Sequence, residues 1–232
     1  MKPYYDDGTC IIYHGDCREI LPRLAQESID LVVTDPPYGV GWRSNWRRVS
    51  FSPIEGDSGS FDVAAALALT FPALRPGRHF YSFGRVELAG LPLVSPVELI
   101  WDKGIVGPGD LTLPWGPAHE PITFAVYRPS KANRDDGRGR LAARLRQGSV
   151  LRVPRLHSRA VVAHPSEKPV DLLRQLIESS SILGETVLDP FMGSGSTLEA
   201  AKLEGRHAIG IEVEESYCEI AAKRLGQKVL TL

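Results

Sequence analysis

The chain has 232 residues and a formal net charge of −1, long enough for one domain with a full core. Its apolar and charged content is that of an ordinary globular domain, no run is long enough to span a bilayer, and the N-terminal stretch reads as no secretory signal. Cys10, Cys17 and Cys218 show neither CxxC nor metal-ligand spacing, and the six histidines are scattered, so a reducing cytoplasm and no metal site are expected.

In chain order, Cys10-Ile11-Ile12-Tyr13-His14 reads as a strand. Gly15-Asp16-Cys17 follows, then a short helix marked by Leu21, Leu24 and Ala25. Asp16 is a natural cap for that helix. Ile29-Asp30-Leu31-Val32-Val33-Thr34 is an apolar strand closed by Asp35-Pro36-Pro37-Tyr38. Two prolines hold a rigid turn at the C-terminal end of the strand, where α/β sheets bind their ligands. The turn presents a carboxylate, backbone carbonyls that no ladder uses, and an aromatic ring. Beyond it, Trp42 and Trp46 interleave with Arg43, Arg47 and Arg48, a composition suited to stacking on bases and pairing with phosphates.

Phe61 to Leu74 has helical spacing and stops before Pro76-Gly77. Strands are expected at 78–84, 97–101 and 121–127. A Gly/Pro-rich loop spans 103–110, with His119-Glu120 just before the third strand. Residues 128–160 carry a charge of +8 against −9 for the rest of the chain. A basic block on an acidic body suggests a polyanion partner, although a solvated loop has the same composition. Val170 to Leu183 is amphipathic, with Leu172, Leu173, Leu176 and Ile177 on one face.

The most informative stretch comes late. Glu185-Thr186-Val187-Leu188 reads as a buried strand, and Leu198 to Leu203 as a helix. Between them lies Asp189-Pro190-Phe191-Met192-Gly193-Ser194-Gly195-Ser196-Thr197, a Gly-rich turn. Glycines there allow the backbone to approach a ligand, and the helix N-terminus offers unpaired N–H groups. Ala208 to Glu212 is a second strand ending in an acid that can accept hydrogen bonds from both hydroxyls of a ribose. A nucleoside cofactor is expected. A tight strand–helix turn is the plain alternative.

Taken together, Asp-Pro-Pro-Tyr at 35–38 and Asp-Pro-Phe-Met-Gly-Ser-Gly at 189–195 resemble the amino-group DNA methyltransferases that use S-adenosylmethionine. His164-Pro165-Ser166-Glu167-Lys168-Pro169 resembles the segment that precedes the cofactor loop in that family. The order, target-base motif first and cofactor loop late, is that of the circularly permuted β group. The resemblance implies an α/β fold: one Rossmann-like domain over 1–232, its seven-stranded, mostly parallel sheet flanked by helices in the order 3-2-1-4-5-7-6. A short basic target-recognition insert would occupy about 104–160.

The resemblance also implies roles. Asp35, Pro36, Pro37 and Tyr38 would be catalytic. Asp16, Cys17, Asp35, His164, Pro165, Ser166, Lys168, Asp189, Pro190, Phe191, Gly193, Ser194, Gly195, Ser196, Thr197, Glu212 and Val213 would line the cofactor site, with Asp16 at the adenine end. Trp42, Arg43, Trp46, Arg47, Arg48, Arg138, Arg140, Arg144 and Arg146 would hold double-stranded DNA. Glu120, in a weakly marked later motif, is read as structural. The expected product is N6-methyladenine on a flipped base. N4-cytosine methylation is the nearest alternative, followed by an RNA adenine methyltransferase or a non-catalytic cofactor-binding subunit. A nicotinamide dehydrogenase would leave Asp-Pro-Pro-Tyr unexplained. The resemblance points to a cytoplasmic protein of a prokaryote or phage and admits a homodimer and a cognate restriction endonuclease as partners.

Overall fold

The computed structural model describes residues 1–37, 61–85, 89–107, 112, 114–128, 147–155 and 167–226. Nine strands form one sheet: β1 (Tyr5–Asp6), β2 (Cys10–His14), β3 (Ile29–Thr34), β4 (Leu74–Phe83), β5 (Leu93–Asp102), β6 (His119–Tyr127), β7 (Val150–Arg152), β8 (Thr186–Asp189) and β9 (His207–Glu212). Their spatial order is β1-β2-β9-β8-β3-β4-β6-β5-β7. The inner seven follow the expected order, with β6 antiparallel to both neighbours. Two edge strands were not foreseen. β1 pairs antiparallel with β2, and β7 adds parallel to β5. β7 lies inside the basic insert, where three residues of alternating burial gave too short a pattern to stand out.

The helices are α1 (Cys17–Ile20), α2 (Val63–Ala68), α3 (Val170–Ser180), α4 (Ser196–Leu203) and α5 (Glu215–Gly226). They cover both faces of the sheet. β3 is buried at all six positions, as a central parallel strand must be, and its side chains divide between the two cores. Leu31 and Val33 pack with Leu172, Leu176, Leu198 and Ala221 of α3, α4 and α5. Ile29 and Val32 pack with Ile20, Ala66, Leu67 and Phe80 on the side of α1 and α2.

α2 is shorter than its spacing suggests, and β4 begins at Leu74, upstream of Pro76-Gly77. The Pro-Gly pair sits inside the strand because the register against β3 slips there and Gly77 takes a φ of 80°. A bulge accommodates both the missing N–H and the positive φ. Among the described residues no helix is long and apolar enough to cross a membrane.

Candidate active site

The C-terminal ends of β2, β9, β8, β3 and β4 lie in a row, and the sequence motifs fall on them. Asp189 is the last residue of β8, and Asp35 follows β3, the strand hydrogen-bonded next to it. The glycine turn and the Asp-Pro-Pro turn are therefore neighbours in space, 154 positions apart for their two aspartates. Pro36 is buried, while Asp35 and Pro37 are half-buried.

The glycine turn is held from within. Met192 N–H donates to the carbonyl of Ile211 (3.0 Å), and Gly195 N–H donates to the carbonyl of Met192 (2.9 Å). Gly195 caps α4 with φ 83°. A Cβ there would meet Cβ of Ala221 at 2.7 Å, so this glycine also lets α5 pack on the turn. Gly210 on β9 was not singled out, yet a Cβ there would meet Met192 Sδ at 2.4 Å. Ser194 and Ser196 are buried, and Arg224 of α5 reaches both, donating to Ser196 Oγ at 2.8 Å. Arg224 also pairs with Glu167 at 2.5 Å, which fastens the stretch before α3 to the glycine turn.

Asp189 is buried, accepts from Phe191 N–H at 3.1 Å and is hydrogen-bonded by the Thr197 hydroxyl. Burial pushes its carboxyl up to about 7, against the pull of those two donors. Glu212, at the end of β9, accepts from Gly193 N–H and Glu214 N–H, both at 2.9 Å. Burial raises its pKa, and the same N–H groups offset part of the rise. A carboxylate has about four acceptor sites, so two N–H bonds leave capacity for ribose hydroxyls. Val213 beside it is exposed, and its carbonyl contacts the His14 ring at 3.0 Å.

Asp16 caps α1 by accepting from Arg18 N–H at 2.8 Å. The Arg18 guanidinium also holds it, which lowers its pKa. Arg18 lies over the Phe61 ring at 5.0 Å, and Phe61 meets Phe191 edge-on at 5.9 Å. Gly15 N–H donates to the carbonyl of Glu212 (2.9 Å), which ties the two strand ends together. Cys17 is buried, and burial pushes its thiol up to about 12, so it is an inert apolar contact.

Lys168 takes an unexpected position. Its ammonium lies 2.6 Å from Asp35 Oδ2 and 3.1 Å from Glu120 Oε1, over the Phe83 ring at 4.8 Å. Glu120 in turn pairs with Lys103 at 3.0 Å. Burial works against the charge on Lys168, yet the two carboxylates hold its pKa above the ordinary lysine value. Burial likewise opposes charge on Glu120, and Lys168 and Lys103 hold it below the ordinary value. Phe83, Glu120 and Lys103 carried no sequence signal for this contact, because three different strands bring them together.

Tyr38, Trp42, Arg43, Trp46, Arg47, Arg48, Arg138, Arg140, Arg144, Arg146, His164, Pro165 and Ser166 lie outside the described residues.

The N6/N4 DNA methylase family model matches residues 97–223. The type II methyltransferase M2.DpnII of Streptococcus pneumoniae is 28% identical, over 97% of this chain and 92% of its own length. The type II methyltransferase M.ScaI of Streptomyces caespitosus is 26% identical, over 100% and 86%. Among solved structures, the M1.HpyAVI–SAM complex superposes with a TM-score of 0.68 at 23% identity, covering 94% of this chain and 100% of that one. PvuII DNA methyltransferase, cytosine-N4-specific, gives 0.73 at 18% identity over 99% and 91%. At these identities the two structures speak to the fold.

Proposed function

Because the chain belongs to the N6/N4 DNA methylase family, whose members transfer methyl groups from S-adenosylmethionine to exocyclic amines, we propose that it methylates adenine N6 in duplex DNA. The observation that carries this reading is the adjacency of the Asp35-Pro36-Pro37 turn and the Asp189–Thr197 turn at the ends of paired strands. Methyl transfer needs its two reactants side by side, and here two rigid turns on neighbouring strands can hold one each.

The donor set fits the cofactor. Glu212 has acceptor capacity for a ribose, and Asp189 offers a buried carboxyl to the cationic methionine portion; Asp16, both of whose oxygens Arg18 engages, would take an adenine amine by giving up part of that pairing. S-adenosylmethionine, when bound, supplies a methyl group already activated by its sulfonium. The chain then contributes placement and electrostatics. Asp35 accepts one hydrogen bond from the target amine and the Pro36 carbonyl accepts another. Those bonds favour a tetrahedral nitrogen whose lone pair faces the methyl. Tyr38 stacks on the flipped base. Trp42–Arg48 brace the gap in the duplex, and Arg138, Arg140, Arg144 and Arg146 neutralise phosphates.

Adenine is preferred to cytosine because the first position of the Pro-Pro turn is Asp. Methylation of mixed-sequence DNA with labelled cofactor, followed by nucleoside mass analysis, tests this directly. N6-methyladenine is expected. N4-methylcytosine would replace the adenine assignment, and no product from folded, cofactor-binding protein would overturn the proposed activity.

A further inference from the structure

Lys168, Glu120 and Lys103 form, with Asp35, a chain of alternating charge along the C-terminal edge of the sheet. It starts at Asp35 after β3, crosses the end of β4 over the Phe83 ring, reaches Glu120 on β6 and ends at Lys103 after β5. Along it, side-chain exposure is 18% at Asp35, 9% at Lys168, 19% at Glu120 and 23% at Lys103. Strand spacing of about 4.8 Å makes this a line three strand intervals long.

We infer that Lys168 is a positioning residue that holds the Asp35 carboxylate aimed at the target amine, and that Glu120, anchored by Lys103, sets how strongly Lys168 does so. The inference rests on Asp35 being the acceptor for that amine.

The geometry separates this role from a mere internal salt bridge. A buried ammonium is neutralised by one carboxylate, and Lys168 has two. With Asp35 alone as its partner, Lys168 would concentrate its charge on that carboxylate and compete with an incoming amine for it. Glu120 on the other side of the ammonium shares that charge. Lys103 then balances Glu120, so the four groups sum to zero without a lone buried charge. Among the described residues, the charged groups facing Asp35 include Lys168 and, from β8, the carboxyl of Asp189. The Phe83 ring under the ammonium and the Pro169 cap of α3 fix the approach of Lys168.

The chain yields shifts of opposite sign, which a purely structural role would not. Lys168→Met removes the cation that lies against Asp35 and fixes its direction. The acidic limb of the single-turnover pH profile should move up by about one to two units, with the rate at pH 7 falling about 100-fold. Lys168→Arg should restore most of the rate. Glu120→Gln is isosteric and leaves Lys168 wholly to Asp35, so the limb should move down. Lys103→Met, at the rim, should move it up by less than Lys168→Met. S-adenosylmethionine affinity by calorimetry should change far less than the rate in all four variants. Fluorescence of a base analogue at the target position should show the base still flipping.

Limb shifts of the same sign for Lys168→Met and Glu120→Gln, or none, would overturn the inference. So would a loss of cofactor affinity in Lys168→Met as large as the loss of rate, which would make Lys168 a cofactor ligand. If Lys168→Met does not fold, the Glu120→Gln and Lys103→Met profiles still decide through their signs. Asp35→Asn separates the two levels. Near-normal turnover there would sink the role of Asp35 itself. A collapse there, with unmoved limbs in the other variants, would sink only the chain.

Discussion

Two charged clusters sit at opposite ends of one sheet, and they are built differently. At the N-terminal ends of the strands, Arg78 of β4 pairs with Glu185 at 2.5 Å and with Asp30 at 3.0 Å. Asp30 also holds Arg75 and accepts from Thr186 N–H, and Glu185 accepts from Ile182 N–H. The Arg78, Asp30 and Glu185 side chains are all 10% exposed or less. At the C-terminal ends, Asp35, Lys168, Glu120 and Lys103 form an open line, most buried at Lys168 and more exposed at both ends. The first cluster is closed on itself and locks three strands together. The second ends at the turn where the motifs meet. Buried charge alone therefore does not mark the site. What marks it is a carboxylate left partly exposed at a strand's C-terminal end beside a glycine turn.

The largest effect should come from breaking the closed cluster. Arg78→Leu leaves Asp30 and Glu185 buried with most of their compensation gone, a loss of about 3–5 kcal/mol. Urea denaturation should show it as a lower midpoint. The folded fraction should still transfer methyl at the wild-type rate. A rate loss in fully folded Arg78→Leu would erase the contrast between the two ends.

Next comes the open end. Asp35→Asn keeps the shape of the side chain and removes the charge. Single-turnover methylation should fall about 10²–10³-fold, the usual consequence of losing one preorganised polar contact at a reacting centre. The rate loss should exceed any loss of cofactor affinity, and the denaturation midpoint should move less than in Arg78→Leu. A variant that lost stability but kept its rate would place Asp35 with the closed cluster instead.

Glu212 tests the cofactor side of the same edge. Glu212→Ala removes the proposed acceptor for the ribose and also releases the N–H groups of Gly193 and Glu214. S-adenosylmethionine affinity should drop by about 1.5–3 kcal/mol per lost hydrogen bond to the charged acceptor. Glu212→Gln, which keeps one carbonyl oxygen, should fall between. Unchanged affinity in folded Glu212→Ala, measured by calorimetry, would remove Glu212 from the site.

How far the sequence reached follows from what kind of signal each feature leaves. The inner strands were legible as short apolar runs, β3, β8 and β9 being punctuated by Asp-Pro, Gly-x-Gly and a terminal acid, whereas their order, and with it the adjacency of the two turns, came from the family resemblance. β7 was not, since three residues leave no period. The start of β4 was misplaced because Pro76-Gly77 reads locally as a stop, and only pairing with β3 turns it into a bulge. In the site, Asp35, Asp189 and Glu212 stood out because each follows or ends its own strand. Lys168 was legible as a motif residue but not by its partner: its ammonium turns to Asp35, 133 positions away. Glu120 was read as structural for the same reason, since Lys103 and Lys168 reach it only through the order β4-β6-β5.

The smallest expected effect concerns pH. Burial pushes Asp189 up to about 7, so near neutrality its carboxyl is split between neutral and ionised forms. The cofactor carries positive charge on its sulfonium and amine, and the ionised form should bind it better. Affinity should therefore rise with pH through about 7 and level off above it, by at most about tenfold between pH 6 and pH 8 if only the ionised form binds. Binding near pH 6.5 should release a proton, visible as calorimetric enthalpies that vary with the ionisation enthalpy of the buffer. The same carboxyl makes a matching contribution to stability. A folded pKa above the unfolded one favours folding at low pH, and that contribution fades as pH rises through about 7. Asp189→Asn should remove both dependences. Glu212 is also raised by burial and could produce a similar curve, so Glu212→Gln is the control. The dependence should persist in Glu212→Gln and vanish in Asp189→Asn. The reverse outcome would move the titrating group from β8 to β9, and a flat profile in the wild-type protein would mean that Asp189 stays in one protonation state whether or not the cofactor is bound.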